Sequence, residues 1–105
     1  EQEFKTEAQR LELMESKEQI ALEIQSSYLQ LQQSIKRIEL TQNSYRQSEE
    51  NLRLSGDRFK AGTVVGKDVL EAQVLWQQAY SATIDAKAEF KICEAKYQKA
   101  IGELK

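Results

Sequence analysis

The side chains capable of acid-base or metal-binding chemistry in this sequence are almost all carboxylates. The 105 residues include 17 Asp and Glu, a single cysteine, Cys93, and no histidine. Without histidine, a second cysteine, a glycine-rich phosphate loop or a G-x-S-x-G sequence, the usual nucleophile and base pairs and the usual zinc sites cannot be assembled. Carboxylates on an exposed helix face ordinarily keep a protein soluble. The sequence therefore predicts a protein that is not an enzyme and that holds no metal ion or cofactor.

The distribution of charge also limits the partners. Fifteen basic residues are interspersed with the acidic ones and the net charge is −2, so no segment collects the positive potential that a phosphate backbone requires. The uncharged stretch that includes Val74 to Ile84 is too short and too rich in Gln and Ser to cross a bilayer as a helix. We therefore expect no nucleic acid partner and no direct membrane contact by this segment.

Apolar residues recur every seven positions, as they do on helices that pack side by side. There is no proline, and four glycines interrupt a sequence rich in strong helix formers. Two lines of positions, called line a and line d, carry the pattern. In the first part of the chain, line a holds Met14, Ala21, Tyr28, Ile35, Gln42, Glu49 and Gly56. Line d holds Arg10 and Lys17 and is then apolar, with Ile24, Leu31, Ile38, Tyr45, Leu52 and Phe59.

In the second part of the chain, line a is mostly large and line d is small throughout. Line a holds Val69, Trp76, Thr83, Phe90, Tyr97 and Leu104, and line d holds Ala72, Ala79, Ala86, Cys93 and Ala100. If the chain folds back on itself, line d of the first part meets line a of the second, which pairs Ile24 with Leu104 and Leu52 with Trp76. The alternation of large and small layers lets two helices approach closely. The sequence thus predicts an all-α fold, a long antiparallel two-helix coiled-coil hairpin.

The bend of this hairpin is expected where two glycines lie close together. Gly62 suits the position after a helix end, because glycine adopts the left-handed conformation at little cost. Asp68 suits the first turn of the next helix, where the dipole favours a carboxylate. Helix one is predicted over about residues 2–61 and helix two over about residues 67–104, with residues 62–66 forming the tip between these unequal arms.

Both arms have apolar residues that lie outside the seam, the interface between the two helices of the hairpin. Residues 1–20 lack a partner within the chain, although Phe4, Leu11, Leu13, Met14 and Ile20 are apolar. Helix two has a second stripe roughly opposite the first, which is typical of a helix between two neighbours. That stripe consists of Leu70, Val74, Ile84, Ala88, Ile92 and Ala95. The pattern favours an array of helices over an isolated hairpin.

The stretch "ENLRLSGDRFKAGTVVGKDVLEAQVLWQQAY", with the ending "KAIGELK", resembles the periplasmic helical hairpin of the TolC-like outer-membrane efflux protein family, and more closely its second, C-terminal hairpin. The family pattern has an aromatic residue near the helix end, followed by G-x-x-[ST]-x-x-[DE]-[VL]-L-x-A-[QR]. One position departs from it, since Val65 stands where the family has Ser or Thr. The positions that match are Phe59, Gly62, Asp68, Val69, Leu70, Ala72 and Gln73.

The resemblance implies that residues 1–105 are one α-hairpin segment of a larger outer-membrane channel, in its periplasmic portion. Members of the family are homotrimers, and their hairpins form an α-helical barrel that works in tripartite efflux. The resemblance also implies that Asp68 and Glu71 lie near the pore entrance and present rings of negative charge. The tip is expected to form the entrance and to bind a periplasmic adaptor (membrane fusion) protein through Phe59, Gly62, Thr63, Val64, Val65 and Gly66.

Two other functions fit a helical hairpin. One is the hairpin of the adaptor itself, but such tips resemble R-x(6)-L-x(6)-S, and no arginine in this sequence has a leucine seven positions later. The other is a coiled-coil spacer or dimerisation module with no role in transport. The second stripe on helix two and the sequence "AGTVVGKDVLEAQ" argue against the spacer, whereas the seven-residue periodicity alone is compatible with it.

Overall fold

A computed structural model describes the backbone of residues 2–104 and the side chains of residues 6–104. It contains two α-helices, α1 at Gln2–Lys60 and α2 at Gly66–Leu104, joined by a turn at residues 61–65. The chain is an all-α helical hairpin, as predicted. Each helix boundary at the turn lies one residue earlier than expected.

The chain divides into two compact units. The first, called the turn unit, is Ser34–Phe90 and contains the turn. Arg37 on α1 forms an ion pair with Glu89 on α2, and nearer the turn Tyr45 on α1 contacts Trp76 on α2. Positions therefore rise along one helix as they fall along the other, so the two helices of the turn unit are antiparallel.

The second unit, called the end unit, contains the residues up to Gln33 and those from Lys91 onward. The rings of Tyr28 and Tyr97 meet with their centroids 5.8 Å apart and their planes tilted by 51°. Further from the turn along both helices, Glu23 and Glu103 line the same groove. The two helices of the end unit are therefore antiparallel as well.

The seam of α2 uses both predicted lines. Ala72, Cys93 and Ala100 are buried, and Ala86 is completely inaccessible to solvent. From line a, Thr83 is buried and four larger residues are half-buried, namely Val69, Trp76, Phe90 and Tyr97. Leu104, the last member of line a, is exposed. The small residues thus lie at the centre of the seam and the larger ones at its margin.

On α1, one of the two predicted lines is correct and the other is wrong. Five members of line d are half-buried, namely Ile24, Leu31, Ile38, Tyr45 and Leu52. Most of line a instead faces outward, with Tyr28 47% and Ile35 46% exposed and Met14, Ala21 and Glu49 exposed as well. Only Gln42 and Gly56 of this line are half-buried. From residue 27 onward, the positions one residue before line a are all hydroxyl residues, and they lie in the seam. They are Ser27 and Ser34, which are buried, and Thr41, Ser48 and Ser55, which are half-buried.

Hydroxyl residues can occupy this seam because a hydroxyl can bond within its own helix, as those of Ser27, Thr41 and Ser48 do. The hydroxyl of Ser27 donates to the carbonyl oxygen of Ile24 at 3.0 Å, and that of Ser48 donates to the carbonyl of Tyr45 at 2.7 Å. A hydrogen-bonded hydroxyl avoids most of the cost of burial, and serine is as compact as the small residues of α2. The seam therefore combines small side chains from both helices.

Several apolar side chains stay exposed, in agreement with the sequence. Leu11, Leu13 and Met14 on α1 are exposed and Ile20 is half-buried, while the side chain of Phe4 lies outside the described residues. The second stripe of α2 is exposed along its length. Its large members are Leu70, Val74, Ile84 and Ile92. That the helices of an array cover these side chains stays a prediction.

Candidate docking surface at the turn

The chain leaves α1 through a complete Schellman motif, the hydrogen-bonded cap that commonly ends a helix at a glycine. Gly62 has a φ of +78°, in the left-handed region, and its N–H donates to the carbonyl of Phe59 at 3.0 Å. The N–H of Thr63 donates to the carbonyl of Arg58 at 2.9 Å, and the Thr63 hydroxyl donates to the same carbonyl at 3.0 Å. These bonds satisfy carbonyl groups that a helix end otherwise leaves without partners, and they fix the path of the turn.

The start of α2 has no side-chain cap. The helix begins at Gly66, so Val65 occupies the capping position, where serine or threonine would offer an oxygen to the first free N–H groups. The N–H of Asp68 donates to the carbonyl of Val65 at 3.0 Å instead. The departure of Val65 from the family pattern thus replaces a capping side chain by an apolar one and leaves the backbone of the first turn intact.

Three large apolar side chains are exposed around the turn. Val65 is 64% exposed, Leu70 is 62% exposed and Phe59 is 51% exposed, whereas Val64 is half-buried. As a member of line d, Phe59 was expected in the seam, and that prediction is wrong. The Phe59 ring instead leans towards α2, where its nearest atom lies 3.6 Å from the position a Cβ would occupy at Gly66. The turn therefore presents apolar surface on a backbone held by hydrogen bonds.

Some charged side chains next to the turn form ion pairs and others do not. Arg53 binds the carboxylates of both Glu50 and Asp57 within α1, at 2.5 Å and 3.4 Å. The hydrogen bond from Arg53 lowers the pKa of Glu50. Arg58, Lys60 and Lys67 are exposed and take part in none of the ion pairs found among the described residues. None of these three cations was among the site residues predicted from the sequence, although the charges on both sides of the turn are visible there.

Asp68 and Glu71 lie in the first turns of α2 and are both exposed. They are three positions apart, so they share one side of the helix. Asp68 also suits the positive end of the helix dipole. A role in a ring of charge at a pore entrance requires further copies of the chain, and it remains a prediction.

A second feature lies in the end unit, away from the turn. An open groove of about 600 Å³ runs between α1 and α2, with Glu23, Lys96, Lys99 and Glu103 among its lining residues. The hydrogen bond and the repulsion from Glu103 raise the pKa of Glu23, and Lys99 partly opposes this change. The groove combines charges of both signs in contact with solvent and contains no nucleophile beside a base.

The structure brings together no cluster typical of metal chemistry in its described part. No group of three or more Asp, Glu or Cys residues there could hold a metal ion. Cys93 is a buried free cysteine in the seam. Within the described residues, neither helix has a stretch that is both long and apolar enough to span a membrane.

The comparisons with known proteins agree with the geometry. A family model described as outer membrane efflux protein matches residues 1–103, almost the whole chain. Neither the curated proteins nor the solved structures include a match.

Proposed function

Because the chain belongs to the outer membrane efflux protein family, whose members are components of efflux channels, we propose that it forms one α-hairpin of the periplasmic part of such a channel. In this proposal residues 1–105 are a segment of a larger protein that assembles as a trimer. The hairpin contributes wall to the α-helical barrel. Its turn forms part of the entrance and binds a periplasmic adaptor protein.

The exposed apolar surface of the turn carries this proposal. Val65 and Phe59 expose more than half of their surface, although this exposure does not stabilise the isolated chain. The backbone beneath them is fixed by the left-handed Gly62 and by two hydrogen bonds to the Arg58 carbonyl. A fixed apolar surface loses little conformational entropy on binding, which favours a docking site.

The outer surface of α2 supports a place in a barrel wall. Leu70, Val74, Ile84 and Ile92 are large, apolar and exposed, and they recur along the helix. A single hairpin cannot cover them, whereas a neighbouring helix would. In a trimer, Asp68 and Glu71 would be repeated three times near the entrance and would favour cations there. A coiled-coil spacer accounts for the seam but gives no role to these exposed residues.

Site-specific photo-crosslinking tests the docking role in cells that produce the full channel. A photoreactive amino acid at Val65 should give an adduct that mass spectrometry identifies as a periplasmic adaptor protein. The same amino acid at Glu39, which is exposed on α1 at a distance from the turn, is the matched control and should give little of that adduct. Equal adaptor yield at both positions, or no adaptor at Val65, would contradict docking at the turn.

An export assay provides an independent test. Val65→Asp places a carboxylate on the exposed side chain of the turn, so it should weaken docking and increase sensitivity to an exported compound. Because Val65 is exposed, the substitution should leave folding intact, which channel abundance in the outer membrane would verify. Normal export by a normally abundant V65D channel would argue against the proposed role of the turn.

A further inference from the structure

Three basic side chains surround the turn on both helices. Arg58 and Lys60 lie in the last turn of α1, and Lys67 is the second residue of α2. All three are exposed. Together with the turn between them, they place positive charge at the same end of the turn unit as the exposed Val65.

The helix dipoles explain only part of this arrangement. Cations near the C-terminus of a helix are favourable, which accounts for Arg58 and Lys60. Lys67 lies at the opposite kind of helix end, where the dipole is positive and a cation is unfavourable. Its position therefore lowers the stability of the free chain slightly, and an interaction outside the chain would give it a use.

The nearby carboxylates do not neutralise these cations. Asp57, the acidic residue next to Arg58, is engaged by Arg53. Asp68 follows Lys67 directly, and consecutive helical residues point about 100° apart. Glu71 is four positions after Lys67, where an ion pair could form, but the ion pairs found among the described residues do not include one.

Apolar surface accompanies the positive charge. Phe59 lies between Arg58 and Lys60 in the sequence, and Val65 lies two positions before Lys67. We infer that the surface of the adaptor that meets this turn is acidic and partly apolar, with carboxylates that pair with Arg58, Lys60 and Lys67. The inference rests on the proposed docking function and adds the chemistry of the partner.

The crosslink at Val65 provides the assay for this inference. In the full channel, the triple variant Arg58→Gln, Lys60→Gln and Lys67→Gln removes the positive charge and keeps polar side chains of similar size. The control triple variant, Lys36→Gln, Lys87→Gln and Lys91→Gln, removes the same charge from exposed positions away from the turn. We expect the turn variant to lower the yield of adaptor adduct about tenfold, since several exposed ion pairs would be lost together, and the control to keep the original yield.

The outcomes separate this inference from the proposed function. An adduct that persists at full yield in the turn variant would overturn the acidic partner surface and leave docking at the turn intact. Equal losses in both triple variants would also overturn it, because they would reflect net charge alone. If the unaltered channel gives no adaptor adduct at Val65, the docking function fails and the inference fails with it. Raised salt should reduce the yield for the unaltered channel more than for the turn variant, and equal salt dependence would contradict the ion pairs.

Discussion

The ring of Tyr45 on α1 meets the indole of Trp76 on α2 with their centroids 6.0 Å apart. Trp76 also stacks on Tyr80, with the two rings only 11° from parallel, and Tyr80 contacts Tyr45. The three rings thus form one cluster that joins the helices of the turn unit. Aromatic contacts of this kind add to the stabilisation that comes from burial alone. In a seam built mainly of small residues, this cluster should be a main source of stability.

Trp76→Ala should therefore destabilise the chain strongly. We expect the free energy of unfolding to fall by about 2 to 3 kcal/mol, less than for a fully buried tryptophan because Trp76 is half-buried. Urea unfolding followed by circular dichroism would measure the change. Leu75→Ala, at the neighbouring exposed position, is the control and should change stability by about 0.5 kcal/mol or less. Similar effects of the two substitutions would show that the cluster does not carry the stability assigned to it.

Ala86→Leu should also destabilise the hairpin, because there is no space for a larger side chain. Ala86 is completely buried, so the extra atoms must displace the atoms that surround it. Such overpacking typically costs about 1 to 3 kcal/mol. Ala88→Leu, two residues later at an exposed position, is the matched control and should be nearly neutral in the isolated chain. Thermal unfolding of both variants would test this, and an unchanged midpoint for A86L would contradict close packing at Ala86.

The hairpin could be predicted from sequence because its signals were local and mutually consistent. Seven-residue spacing indicated both helices, and Gly62 marked the end of the first one through a conformation that glycine favours. The small line of α2, from Ala72 to Ala100, identified the side that packs inward. Each of these signals depends on one helix or one turn, so no knowledge of the partner was needed.

The facing side of α1 was predicted wrongly because residue size and polarity pointed in different directions. Hydropathy favoured Tyr28 and Ile35, which are exposed, over Ser27 and Ser34, which are buried. A narrow seam selects for small volume, and serine satisfies its hydroxyl on its own helix, as Ser27 does. The repeat of Ser or Thr every seven residues was visible in the sequence. It would have identified the seam if residue volume had been weighed before hydropathy.

The contacts between aromatic side chains were also mispredicted. Tyr97 meets Tyr28, and Trp76 meets Tyr45 and Tyr80, and none of these pairs was among those predicted. Because Tyr28 lies on the outward side of α1, its ring reaches past the seam to the margin of α2. Long side chains at the margin can contact positions several residues away, which heptad spacing alone does not capture. The turn was predicted one residue too late, at 62–66 instead of 61–65, and its partner stays a prediction because it is a property of the assembly that no single chain reveals.

Two of the three glycines of the turn unit, Gly62 and Gly56, should respond in opposite directions to alanine. Gly62→Ala should cost about 1 kcal/mol, since a φ of +78° is unfavourable for a residue with a Cβ. Gly56→Ala should instead stabilise the chain by about 0.5 to 1 kcal/mol, because Gly56 is helical and a Cβ there would meet no atom within 4 Å. Urea unfolding of the pair gives an internal comparison. A stabilised G62A variant would rule out the left-handed turn, and a destabilised G56A variant would reveal a closer helix contact than described.

Lowering the pH should remove the repulsion between Glu23 and Glu103, the carboxylate pair of the end unit. The hydrogen bond and repulsion from Glu103 raise the pKa of Glu23 above its ordinary value of 4.5, even though Lys99 lowers it. A group with a higher pKa in the folded chain stabilises the fold below its unfolded pKa, and this contribution is lost as the pH rises through the folded value. Glu23→Gln keeps a hydrogen-bonding side chain without the charge, so it should raise the thermal midpoint slightly at about pH 7 and leave it unchanged at about pH 3.5. Thermal unfolding at the two pH values would measure this, and a midpoint lower than that of the unaltered chain at neutral pH would show that attraction to Lys99 outweighs repulsion from Glu103.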